Sequence, residues 1–163
     1  MISDALFSPN KAHRLKLWRI WDITKPMVAF CMLNPSTANE IENDPTVERC
    51  QRRAKMMGFG SLVIVNIFSY RSTDPQELYK SLNILDISPF ENDDTIIDVA
   101  LKAKMFVCGW GKHGKLYGRG DAVLKMLNSR SIKTYALKIN KDGSPAHPLY
   151  IGYNIVPKQL ELS

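Results

Sequence analysis

Val28, Ala29, Phe30, Cys31, Met32 and Leu33 form an unbroken apolar run that stops against Asn34-Pro35-Ser36-Thr37. A short run of this kind, with β-branched and aromatic members, predicts a strand buried on both faces, as in a parallel sheet. Such a strand needs helices packed on both sides of its sheet, and few other architectures can cover it. Its end also carries information. In open α/β sheets ligands sit just beyond the carboxyl ends of the strands, so Asn34 falls where chemistry is usually done.

The pattern returns twice. Residues 62–68 form a second apolar run that contains Asn66 and ends at Ser69, and residues 105–109 form a third that leads into Trp110-Gly111-Lys112. A shorter run at 134–137 supplies a fourth strand. Between the strands, Asp44 before Pro45 predicts the N-cap and first residue of a helix that reaches about Met57 and stops at Gly58. Val47, Cys50, Ala54 and Met57 give that helix one apolar face. Thr73-Asp74-Pro75 opens a short helix by the same logic, and further helices are predicted over about 93–103 and 122–129. Residues 13–22 alternate polar with apolar side chains and predict a half-buried edge strand. The expected fold is therefore α/β: a three-layer α/β/α sandwich with a mostly parallel four-stranded sheet. It should form one domain over 1–163 with its core at about 14–152.

Composition narrows the function classes. No apolar run approaches the roughly 20 residues that span a bilayer. The first residues also lack a basic stretch followed by an apolar core, so no membrane association or secretory signal is expected, and the location should be cytoplasmic. Cys31 and Cys108 lie in apolar runs and Cys50 in a helical pattern, none with metal-binding spacing. Buried reduced thiols, no metal and no cofactor are the expectation. Dinucleotide, phosphate-loop, zinc-protease and nucleophile-elbow motifs are all missing. A net charge of +6 favours a polyanionic partner, a nucleic acid or nucleotide. The denser basic patch of Arg49, Arg52, Arg53 and Lys55 reads as a solvated helix face, or alternatively as a phosphate contact.

All four strand ends should converge on one edge, bringing together Asn34, Pro35 and Ser36; Asn66 and Ser69; Trp110, Gly111 and Lys112; and His147 with Pro148. That edge offers amides, an imidazole and cations, without paired carboxylates for acid–base work. Asn34 reads as a site residue or as the cap of a local turn. Asn66 lies in a Val/Ile-rich strand, where an amide is costly without partners, so it serves a ligand or an internal hydrogen bond. His147, among small residues and prolines in a loop, is a functional candidate, with simple packing the alternative. Arg71 could neutralise a phosphate or form a surface ion pair. Trp110 reads as core or rim packing, or as a stacking platform. Asp44, Asp74 and Asp93 read first as helix caps, and His13 and His113 as solvated.

Taken together these pieces resemble the bacterial and phage family DUF1643. The resemblance rests on Asn34-Pro35-Ser36-Thr37-Ala38, Asp44-Pro45-Thr46 with Arg49-Cys50, Gly58-Phe59-Gly60 and Val65-Asn66-Ile67-Phe68. It continues through Arg71-Ser72-Thr73-Asp74-Pro75, Asn92-Asp93, Trp110-Gly111 and the segment from Gly143 to Tyr150. Lys138-Ile139-Asn140 departs from the usual Gly-x-Thr of that family. The order of strand ends, closing on His147-Pro148-Leu149, is also similar to the uracil-DNA glycosylase superfamily. That likeness implies a glycosylase-like fold and a metal-independent hydrolase of an N-glycosidic bond to a base, modified or not, in DNA or a nucleotide. Carried over, Asn34 would orient water, Asn66 would read a flipped base and His147 would stabilise the departing base, with Phe59 or Phe68 stacking on it. Met32 and Leu149 depart from the superfamily's glycine and serine, and three cysteines are too few for its iron–sulfur cluster. Two other readings use the same residues. One is a non-catalytic nucleotide- or nucleic-acid-binding module; the other is a phage or host factor acting through protein partners.

Overall fold

In the computed structural model, which describes residues 1–161, the 28–33 run lies at the centre of the sheet. The strands are β1 (Ile2–Phe7), β2 (Arg14–Ile20), β3 (Met27–Met32), β4 (Ser61–Asn66), β5 (Met105–Cys108), β6 (Tyr135–Ala136) and β7 (Lys158–Gln159). The helices are α1 (Pro45–Met56), α2 (Phe90–Lys102) and α3 (Arg119–Asn128), joined by short 3-10 turns. No helix among the described residues is long and apolar enough to cross a membrane.

The sheet has seven strands in the order β1-β2-β4-β3-β5-β6-β7, and it is mixed. β4, β3, β5 and β6 run parallel, whereas β1, β2 and β7 are antiparallel to their neighbours. The expected four-stranded, mostly parallel sheet therefore needs correction. β1 exposes every second residue and β7 is two exposed residues long, so neither carries the continuous apolar signal of a doubly covered strand. β2 is not an edge strand either, because β1 pairs along its outer side.

Side chains alternate between two cores, as the strand period dictates. Val28, Phe30 and Met32 of β3, with Leu62 and Ile64 of β4, pack against Val47, Cys50 and Ala54 of α1. Ala29, Cys31, Val63 and Val65 face the other way, against Ile96, Val99 and Ala100 of α2 and Val123 and Leu127 of α3. Helices thus cover both faces of the sheet. α1 starts where its cap predicts, with the Asp44 carboxylate accepting from the Val47 amide at 2.9 Å. All three cysteines are buried and free.

Candidate active site

β3, β4 and β5 run in the same direction, and their register sets Met32 beside Asn66 and Cys31 beside Cys108. Their carboxyl ends therefore open onto one edge. The segment that follows β6 is drawn across the same edge by two backbone bonds, Gly111 N–H to the Pro145 carbonyl and Ala146 N–H to the Lys138 carbonyl, each 2.8 Å. Gly109 makes this approach feasible: a Cβ there would stand 3.0 Å from Pro148 and 3.1 Å from the Ala146 carbonyl oxygen. The result is a cleft of about 470 Å³, within the size range of small-molecule sites.

Asn34, Pro35, Ser36, Asn66, Trp110, Lys112 and His147 all line this cleft. Three other candidates do not. Phe59 precedes β4 and so belongs to the opposite, amino edge, where its carbonyl accepts from Trp21 Nε1 at 2.9 Å. Phe68 is fully buried in the core beneath α2 and α3. Arg71 stacks on the Phe7 ring at 4.8 Å and donates to the Lys11 carbonyl, away from the cleft lining. Ser69 is buried and paired with His13 Nδ1 at 2.8 Å, so that histidine is not merely solvated.

The polar side chains of the cleft are oriented by neighbours. Asn34 Nδ2 donates to the backbone carbonyls of Ser72 at 3.0 Å, Pro35 at 3.2 Å and Tyr70 at 3.4 Å. Its amide NH₂ is spent on tying the 70–72 loop to the end of β3, which leaves Oδ1 as the group it can offer. Asn66 is the reverse case. Its Oδ1 accepts from Arg14 Nη2 at 3.4 Å, and its Nδ2 has no protein acceptor among the described residues. His147 Nδ1 accepts from the Leu149 amide at 3.2 Å, which assigns the ring proton to Nε2. Burial pushes the His147 pKa down, while the Asp44 carboxylate works in the opposite direction. The ring is thus a neutral donor.

Several lining residues were not foreseen from the sequence, among them His113, expected as solvated, whose Nδ1 meets the Tyr79 hydroxyl at 2.9 Å. Arg14 opens β2, which runs antiparallel to β4, so its amino end arrives at the carboxyl edge of the parallel strands. Asp44 caps α1 and also lines the cleft, supplying one carboxylate. Tyr150, highly exposed, stands at the rim. A cap signature announces Asp44 as structural, and nothing in it announces the second role. Trp110 is buried at 4% exposure, boxed in by Gly114 and Gly120, where any Cβ would collide with its indole. It forms a wall rather than a platform.

The basic patch on α1 also differs from expectation. Arg53 is buried and donates to the carbonyls of Ile151, Gly152 and Ile155 at 2.7–3.1 Å. Arg49 donates to the Ile151 carbonyl at 2.6 Å and to that of Pro148 at 3.3 Å, and both guanidinium groups lie over the Tyr153 ring. These arginines strap the segment after His147 onto α1.

The family model described as "Protein of unknown function (DUF1643)" matches residues 14–149, most of the chain. No curated protein and no solved structure matches it.

Proposed function

The chain belongs to the DUF1643 family, and from that premise we propose that it hydrolyses an N-glycosidic bond, releasing a base from a nucleotide or from DNA. What supports the reading is that three cleft side chains are committed by the backbone and by Arg14 to the hydrogen-bonding roles such a reaction requires. Asn34 can only accept through Oδ1, which suits it to orient a water molecule. Asn66 turns Oδ1 toward Arg14 and keeps its Nδ2 hydrogens free of protein acceptors among the described residues, which suits it to bind a carbonyl oxygen on the edge of a base. His147, neutral with its proton on Nε2, can donate to the oxygen on which negative charge gathers as the base leaves.

The water oxygen bonds to the anomeric carbon as the carbon–nitrogen bond breaks. The electron pair of that bond leaves on the base, and the water proton passes to the Asp44 carboxylate and from there to the departed base. Asp44 thereby contributes the base that asparagine, a poor proton acceptor, cannot provide. The order of the motifs, similar to that of the uracil-DNA glycosylase superfamily, agrees with this division of labour.

The test is release of free base, followed chromatographically, from nucleotides and from DNA carrying assorted modified bases. Strand breaks on alkali treatment would mark the DNA product. His147→Ala and Asn34→Ala should each lower the rate about 10²–10³-fold, the usual effect of removing one charge-stabilising donor or water-orienting group, with ligand still bound. Binding without release would reassign the cleft to a non-catalytic nucleotide or nucleic-acid module. Neither binding nor release would withdraw the proposal.

A further inference from the structure

Four arginines are nearly or fully buried, and three are satisfied in recognisable ways. Arg119 pairs with the Asp93 carboxylate. Arg19 donates to the Asn43 side chain and to several backbone carbonyls, and Arg53 to three carbonyls of the 148–155 segment, although its Nε, like that of Arg14, is buried without an acceptor. Arg14 has the weakest set of partners of the four. At 2% exposure its guanidinium has only the Ala38 carbonyl at 3.1 Å and Asn66 Oδ1 at 3.4 Å, both neutral, and its Nε is buried with no acceptor. A guanidinium carries five N–H donors, so most of its capacity is unused; like Arg19 and Arg53, Arg14 has no carboxylate pair among the described residues, but it has fewer hydrogen bonds than either.

An uncompensated buried charge is expensive, and a protein that keeps one normally has a partner for it. Arg14 is also the one buried arginine that lines the cleft. Burial lowers its pKa to about 10, so it remains a cation near neutral pH. Asp44 favours its charged form, whereas Arg71 and Arg19 add positive potential of their own. Lys112 stands in the same lining, and the first turn of α1 reaches it through Thr46, adding the positive end of a helix. Against these there is a single carboxylate, Asp44.

We propose that Arg14 is the seat of a phosphate group of the ligand, so that the cleft takes a nucleoside phosphate in preference to a bare nucleoside. This rests on the reading that a nucleotide or nucleic acid occupies the cleft. The phosphate would displace no existing ion pair; it would supply the counter-charge that the fold withholds. Charge-assisted hydrogen bonds from a planar guanidinium to phosphate oxygens are short and strong, and Arg is the side chain best shaped to make them. Asn66, sharing Arg14's donors through Oδ1, would keep the base-reading amide in register with the phosphate seat.

Calorimetric titrations of the full chain at low salt test this, with four probes: a nucleoside, its 5′-monophosphate, inorganic phosphate, and a short single-stranded oligonucleotide lacking terminal phosphates. The monophosphate should bind at least about tenfold more tightly than the nucleoside, and inorganic phosphate should compete with it. Arg14→Gln should bring the two affinities together, and Arg14→Lys should keep part of the difference. Tight binding of the oligonucleotide would assign the phosphate to a phosphodiester; binding of the monophosphate alone would assign it to a free nucleotide. Equal affinity of the wild-type protein for nucleoside and monophosphate overturns the proposal, whether or not the variants fold. So does a preference untouched by Arg14→Gln. The phosphate seat and the hydrolytic reading fail separately: phosphate-dependent binding without base release ends only the latter, and base release from nucleosides without phosphate preference ends only the former.

Discussion

His147 accepts the Leu149 amide hydrogen at Nδ1 and sits largely out of water, and both conditions favour its neutral form. A histidine pKa lowered in the folded state means that the unfolded chain takes up the proton first as pH falls. Stability should therefore begin to drop as pH passes below the ordinary 6.5 and level off once the folded pKa is passed. Thermal unfolding followed from about pH 8 to about pH 5 should show that decline, and His147→Asn should flatten it. His13, lowered mainly by burial as well, would leave a residual slope. A melting temperature independent of pH over that interval would contradict the neutral assignment. Asn66 was legible in the sequence because an amide in a Val/Ile run has to be explained by a partner. Arg14 was not, because a basic residue opening an alternating segment looks like one that faces solvent.

At the scale of elements, α1 combines two duties in one residue. Asp44 caps the helix through Oδ1 and contributes the cleft's carboxylate. Asp44→Ser keeps a capping oxygen and removes the charge; Asp44→Ala removes both. The alanine variant should lose about 1 kcal/mol and the serine variant a few tenths, since serine caps about as well as aspartate. Both should lower the His147 pKa further, because Asp44 is the charge that raises it. Chemical denaturation and a histidine proton titration separate the two effects. Equal destabilisation by both substitutions would mean that the cap hydrogen bond is not what Asp44 contributes. Direction decides the other elements. Phe59 does not line the cleft because it enters β4 from the amino edge, and Arg14 does because β2 runs the opposite way.

Across the whole molecule, the position of His147 depends on contacts made far along the chain. Arg53 on α1 donates to carbonyls about a hundred positions later, and Arg49 helps hold the same segment. Arg53→Met preserves bulk but strands those carbonyls, and hydrogen bonds from a charged group are worth about 1.5–3 kcal/mol each. A loss of about 2–4 kcal/mol is expected, together with faster proteolysis within 148–155 and weaker ligand binding. A variant as stable as wild type with an intact segment would show that the strap is dispensable. The start of α1 and the three doubly covered strands follow from local pattern, because apolar period and capping chemistry act over a few residues. α2 and α3 instead start three residues before the expected positions, at Phe90 and Arg119, without a side-chain cap, and Asp93, expected as a cap, lies inside α2 and pairs with Arg119. Sheet width, the descent of β2 toward the carboxyl edge, the unpaired charge of Arg14 and the strap around Tyr153 exist only in the folded chain. Each depends on which distant backbone groups come within hydrogen-bonding reach, and no short stretch of residues encodes that distance.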